Sequence, residues 1–257
     1  KAPKGKAGKE KQALNTYWNA TPETITTALN KYCENTIGAP CDANGEQCCA
    51  SLTGIVVVDL EHPYHPKELT KIAEIDTKAG IEPHTLAEVV DGFKMRLAVV
   101  RQEMPNATLA LFGVFVANAS VKPEWLTKED WTQGFTDKIN ELKKAIALGL
   151  LDDVDAVFPV LYAPVGPSDN KYSPEQAAAF TRISLEMTEE AMSDMTQPLP
   201  MMPALSFRIG NGNSKNNGES TPAEYLAWQI AELQKLNKMD TVIFWSGGPH
   251  FISGPGG

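Results

Sequence analysis

From Gly54 onward, short apolar runs rich in β-branched residues alternate with longer stretches whose apolar positions recur at helical spacing. The apolar runs predict strands over 54–60, 108–117, 156–162, 201–209 and 241–245. Helices are expected between them over 85–103, 132–150, 174–195 and 221–236. Thr85 and Glu88 have the spacing of a capping box, while Ser173-Pro174 and Thr221-Pro222 mark the start of the next two helices. Before Gly54 the pattern gives one helix, 21–33, opened by Thr21-Pro22. Strand, helix, strand repeated in this way implies right-handed crossovers and a parallel sheet covered by helices. The fold class expected is α/β, a (β/α) TIM-like barrel, with a doubly wound open sheet as the alternative. A closed barrel has more strands than the five legible here, so the first strands of the barrel are expected to be missing from this chain.

Composition narrows this picture. The 257 residues are 42% hydrophobic and 21% charged with a net charge of -9, a globular balance that disfavours nucleic acid and anionic membranes as partners. No apolar run is long enough to span a membrane. Residues 1–12, K-A-P-K-G-K-A-G-K-E-K-Q, are expected to be a basic flexible segment. Residues 13–50 form a helix and a cysteine-rich loop, and 51–257 the catalytic-type barrel. Cys33, Cys41, Cys48 and Cys49 crowd into that loop. Their number and spacing favour two disulfides over zinc, with three pairings left open. Sequons at Asn19, Asn106 and Asn118 point, with the cysteines, to a secreted glycoprotein.

Candidate chemistry collects at the ends of the strands, where a barrel places its active site. The first strand runs G-I-V-V-V-D-L-E-H-P-Y-H-P, and on an extended chain Asp59 and Glu61 project to one side, roughly 7 Å apart. Each carboxylate raises the proton affinity of the other, which suits one of them to general acid catalysis. A pair of rim carboxylates bound to a basic side chain is the alternative. His62 and His65 add potential metal ligands, although two exposed loop histidines fit that Pro-rich turn better. No metal is expected, because Pro63 and Pro66 keep the histidines from helical i, i+4 geometry and no H-E-x-x-H is present, and no cofactor, since neither G-x-G-x-x-G nor a P-loop follows any strand. Tyr162 and Trp245 end later strands. Aromatic residues there either fill the core or form a wall against the apolar face of a sugar.

With these residues in view, the chain resembles the hyaluronidases over about 52–247. V-V-V-D-L-E-H-P is similar to the strand end of that family, a hydrophobic run followed by Asp-x-Glu and proline. L-A-L-F-G-V-F-V-A-N, A-V-F-P-V-L-Y-A-P, P-M-M-P-A-L-S-F-R-I-G and T-V-I-F-W-S-G follow in the family's order. The resemblance implies a seven-stranded barrel in which the D-x-E strand is third. A partner chain or a cleaved fragment would then supply the two preceding strands. It also implies substrate-assisted retaining hydrolysis of a β-linked N-acetylhexosamine polymer. In that scheme Glu61 is the acid, Asp59 and Tyr162 orient the N-acetyl group, and Trp245 and Arg208 contact the sugar. Two departures stand out: Val116 and Ala117 precede Asn118 where the family usually has tyrosine, and the cysteines all lie upstream of the D-x-E strand. A non-catalytic structural or carbohydrate-binding glycoprotein on a degenerate barrel is the alternative function.

Overall fold

The computed structural model describes residues 4–38, 41–42, 48–60, 63–114, 128–162, 174–206, 220–235 and 241–245. Its elements in chain order are α1 (Lys4–Trp18), α2 (Pro22–Tyr32), β1 (Gly54–Val58), α3 (Ile72–Ala79), α4 (Leu86–Glu103), β2 (Ala107–Phe112), α5 (Lys128–Ala147), β3 (Ala156–Phe158), α6 (Pro174–Ala191), β4 (Ala204–Ser206), α7 (Ala223–Lys235) and β5 (Ile243–Trp245). This is a mixed α/β chain whose strands are shorter than the apolar runs that announce them. The segment expected to be flexible at the start is helical from Lys4. Two compact units divide the chain, one formed by Lys1–Val114, Asp137–Val157 and Asp194–Leu199, the other by Phe115–Thr136, Phe158–Ser193 and Pro200–Gly257.

In the first unit the strands follow the order β1-β2-β3, and β1 pairs with β2 in parallel from Gly54↔Ala107 to Val58↔Leu111. The central strand β2 is almost wholly buried, with Leu109, Ala110 and Leu111 inaccessible. β1 lies at the described edge of the sheet, so Ile55 remains 42% exposed despite its apolar side chain. Asp155 ties the start of β3 to β2: its Oδ2 accepts from Leu109 N at 2.8 Å and from Arg101 Nη2 at 2.5 Å.

Helix caps follow the sequence closely. The Thr85 hydroxyl accepts from Glu88 N while the Glu88 carboxylate accepts from Thr85 N at 2.7 Å, a reciprocal box that fixes the start of α4. Thr21 and Thr24 do the same for α2. α2 packs on α4 through the buried carboxylate of Glu103, which accepts from Thr26 Oγ1 at 3.3 Å and Asn30 Nδ2 at 3.2 Å. A buried carboxylate is tolerable only with such donors. Nearby, Cys33 bonds to Cys49 and Cys41 to Cys48, which selects one of the three pairings left open by spacing.

α1 docks through Tyr17, packed edge-on against Tyr64 and Phe93, with Arg96 3.7 Å above its ring and its hydroxyl donating to Val89 O. Burial pushes the Tyr17 phenol well above its ordinary pKa, with Arg96 opposing.

In the second unit β4 and β5 pair in parallel from Ala204↔Ile243 to Ser206↔Trp245. Val160, just past β3, forms a parallel bridge to Ala204. α6 and α7 pack together. The buried polar residues Ser184 and Thr188 of α6 donate to Phe180 O and Ser184 O at 2.9 and 2.8 Å, so the helix satisfies its own buried hydroxyls. Among the described residues the strands form these two sheets and no closed barrel.

Candidate active site

Unit one carries the D-x-E turn. β1 stops at Val58, and Asp59 follows at its carboxyl end, exposed to solvent. Glu61 and His62 lie outside the described residues. Beyond them the chain turns inward: Tyr64, His65 and Pro66 are all buried. His65 is therefore not the exposed loop histidine expected from its proline-flanked position. Its Nδ1 accepts from Lys67 N at 3.2 Å, capping the short helical turn Pro66–Lys71.

The room for that imidazole comes from Gly113, just after β2, at φ +70. A Cβ built there would stand 2.4 Å from His65 Cε1. The turn after β1 is thus locked against the end of β2 by a histidine-on-glycine contact that no local pattern announces. Lys138, on α5, sits in a partly desolvated position near Lys67 and Lys71, and burial first and Lys67 second push its ammonium down to about 8.

A second polar group in this unit joins four separate segments. The Tyr64 hydroxyl donates to Asp76 Oδ1 at 2.5 Å and accepts from Trp18 Nε1 at 3.1 Å. Asp76 is fully buried, and its Oδ2 accepts from His84 N at 2.8 Å and lies 3.1 Å from His84 Nδ1. Trp18 stacks on the His84 ring at 3.9 Å. Burial raises the Tyr64 phenol above its ordinary pKa, and its hydrogen bond to Asp76 adds to the rise. Sequence spacing held no signal for this cluster, because its members come from α1, the β1 turn, α3 and the approach to α4.

Unit two carries the aromatic strand ends. The backbone before Tyr162 is fixed on two sides: Leu161 N donates to Ala204 O at 2.8 Å, and Leu161 O accepts from Gln229 Nε2 at 2.6 Å. Gln229 reaches from α7 and is only 2% exposed. Tyr162 itself is half-buried, with its phenol oxygen shielded from solvent. Trp245 closes β5 opposite Ser206. Parallel pairing of the Val160 segment, β4 and β5 runs these three segments in the same direction. Arg208 and Asn118 fall outside the described residues. Of the other sequons, Asn19 is exposed, and Asn106 is exposed with its Nδ2 donating to Ala50 O at 3.1 Å.

The mixed α/β arrangement with parallel strands is similar to the fold of bee venom hyaluronidase. The monoclinic crystal structure of that bee protein matches over 88% of this chain and 70% of its own, with a TM-score of 0.58 and 12% identity. Its structure in complex with a hyaluronic acid tetramer matches over 88% and 69%, with a TM-score of 0.52 and 13% identity. Identity this low makes the likeness one of fold. No family model and no curated protein matches the chain by sequence.

Proposed function

We propose that this chain is a secreted glycoside hydrolase of the hyaluronidase-like type, acting on a β-linked N-acetylhexosamine polymer. The observation that carries the reading is the fold match over 88% of the chain, combined with a D-x-E sequence leaving the carboxyl end of β1. In this reading the strands belong to a TIM-like barrel. The exposed edge at Ile55 is where a neighbouring strand from a partner chain or a cleaved fragment would pair.

Glu61 protonates the glycosidic oxygen as the bond to the leaving sugar breaks. The substrate's own N-acetyl oxygen attacks the anomeric carbon, so no enzyme nucleophile is needed. Asp59 and Tyr162 hold the acetamido group in the attacking orientation, and the negative charge of Asp59 stabilises the positive charge that develops on it. Water then opens the cyclic intermediate, with Glu61 acting as base. Trp245 forms the wall of the sugar site and Arg208 a polar contact. Two disulfides and the lack, among the described residues, of a helix long and apolar enough to cross a membrane suit an extracellular setting. Asn19, Asn106 and Asn118 are the glycan acceptors.

The shielded phenol oxygen of Tyr162 favours a second reading, a carbohydrate-binding glycoprotein without turnover. A reducing-end assay separates the two. Hyaluronan, chondroitin, chitin oligomers and unrelated glucans are incubated from pH 4 to 8 with wild type and Glu61→Gln. Cleavage that disappears in the variant is expected; cleavage unchanged by the substitution removes Glu61 from the acid role. Silence on every polymer, from protein of verified fold, moves the function to binding.

A further inference from the structure

We propose that the first unit carries a second, non-catalytic saccharide site, a groove of about 420 Å³ where α5 faces the segment from Leu69 to Leu86. Leu69, Ile72, Ala73 and Leu86 form its apolar side. The opposite side is one face of α5, because Asp137, Asn140, Glu141 and Lys144 stand at i, i+3, i+4 and i+7. Those eight residues of helix span about 10 Å, room for a pair of pyranose rings end to end. A ring with an apolar face and a polar edge matches both sides of the groove at once.

His84 lines the same groove, and its ring is held before any ligand arrives. Trp18 covers one face, and Nδ1 is turned toward Asp76. Nδ1 also lies 3.3 Å from Tyr64 Oη, and Asp76 accepts from Tyr64 Oη and His84 N, so this edge of the ring is held within the buried cluster. The remaining nitrogen, Nε2, is left to hydrogen-bond a polar group of a ligand. An oriented imidazole of this kind loses little freedom on binding, which is the usual origin of affinity at a small polar contact.

Charge selects among sugars. Among the residues lining the groove, Asp137 and Glu141 stand with one lysine, Lys144, which is already paired with Glu141 at 3.1 Å. A uronate carboxylate entering here meets excess negative charge. A neutral N-acetylhexosamine does not: its amide, which offers both a donor and an acceptor, suits Nε2 of His84, and its methyl group suits the apolar side. The site therefore takes neutral N-acetylhexosamine oligomers and disfavours acidic ones. It shares the saccharide class of the reading above, but none of its catalytic residues.

The test uses the full chain carrying Glu61→Gln, with and without Ala73→Phe, which fills the groove from an exposed position. Imidazole nitrogen resonances of His84 are followed by NMR while a β-linked N-acetylglucosamine tetramer, a hyaluronan tetramer or spermidine is added. The neutral tetramer is expected to shift Nε2, to bind at least tenfold more tightly than the hyaluronan tetramer, and to lose at least tenfold in affinity on Ala73→Phe. A His84 signal unmoved by the neutral tetramer overturns the inference, as does one moved only by the acidic tetramer or only by the amine. Polymer cleavage by wild type beside a silent groove overturns this inference alone. Groove binding without any cleavage overturns the hydrolase reading alone.

Discussion

Gln229 donates its side-chain amide to the carbonyl of Leu161 at 2.6 Å, so that α7 holds the backbone immediately before Tyr162. The bond is buried, and losing it strands a carbonyl away from water. Gln229→Leu is expected to lower stability by about 1–3 kcal/mol, the cost of an unsatisfied buried polar group. Chemical denaturation checks the size. Because the same bond fixes the chain at Tyr162, the hydrolase reading expects saccharide turnover to fall as well, even where the variant remains folded.

Tyr162→Phe discriminates between the two functional readings. If the phenol orients the acetamido group, its removal lowers kcat by a factor of roughly 10²–10³, in the range of a lost transition-state hydrogen bond, at little cost in stability. A variant with unchanged turnover assigns the residue to packing. Steady-state kinetics with the substrate identified by the reducing-end assay, beside a thermal melt, reads both quantities.

Gly113 and Gly80 share a left-handed backbone but not their surroundings. Alanine at Gly80, φ +71, meets nothing within 4 Å and should cost about 1 kcal/mol for the conformation alone. At Gly113 the new methyl group would strike the His65 ring. Gly113→Ala is expected to cost at least ~2 kcal/mol more, because the buried imidazole has to move. Parallel urea titrations of the two variants test the difference.

Lys138 gives a pH dependence with a definite sign. Its folded pKa is lowered to about 8 while the unfolded chain keeps the ordinary lysine value. Between those values the unfolded state binds more protons, so this group's contribution to stability rises with pH from about 8 to about 10.4. Lys138→Met removes that rise. The difference between wild type and variant, measured by denaturant unfolding at pH 7 and pH 9.5, isolates it from other titrating groups. An equal pH response in both proteins rules it out.

The Cys33–Cys49 bridge closes a loop of 16 residues and should contribute about 3 kcal/mol. Its paired serine variant is expected to melt at lower temperature by a corresponding amount. Since α2 is tied to the same loop through Asn30, which accepts from Cys48 N at 2.9 Å, hydrogen exchange in α2 should rise with it.

Local chemistry made much of this chain legible. The Thr85 and Glu88 box was readable because its partners lie within one turn of helix, and β1 because three consecutive valines favour extended backbone. Strands were overread past the ends of β1 and β3 and before the starts of β4 and β5: an apolar run continues wherever the core does, whereas a strand lasts only while a neighbour supplies hydrogen bonds. The run from Ala156 to Tyr162 shows this, since regular pairing ends at Phe158 and the apolar residues continue through a single bridge at Val160. The resemblance to hyaluronidases rested on strand order and the D-x-E turn, and the fold-level likeness to the bee protein runs over most of the chain.

By itself the sequence determined the strands and, apart from α1 and α3, the helices, with their order, the crowding of four cysteines and the two carboxylates after β1, all properties of neighbouring residues or of fixed periodicity. Tertiary structure decided what depends on residues far apart in the chain meeting in a dry interior. It chose the disulfide pairing, buried His65 against Gly113, and gathered Trp18, Tyr64, Asp76 and His84 around one carboxylate. The reason is desolvation: a buried polar group has to find its partner wherever packing places one, and that position carries no period along the chain.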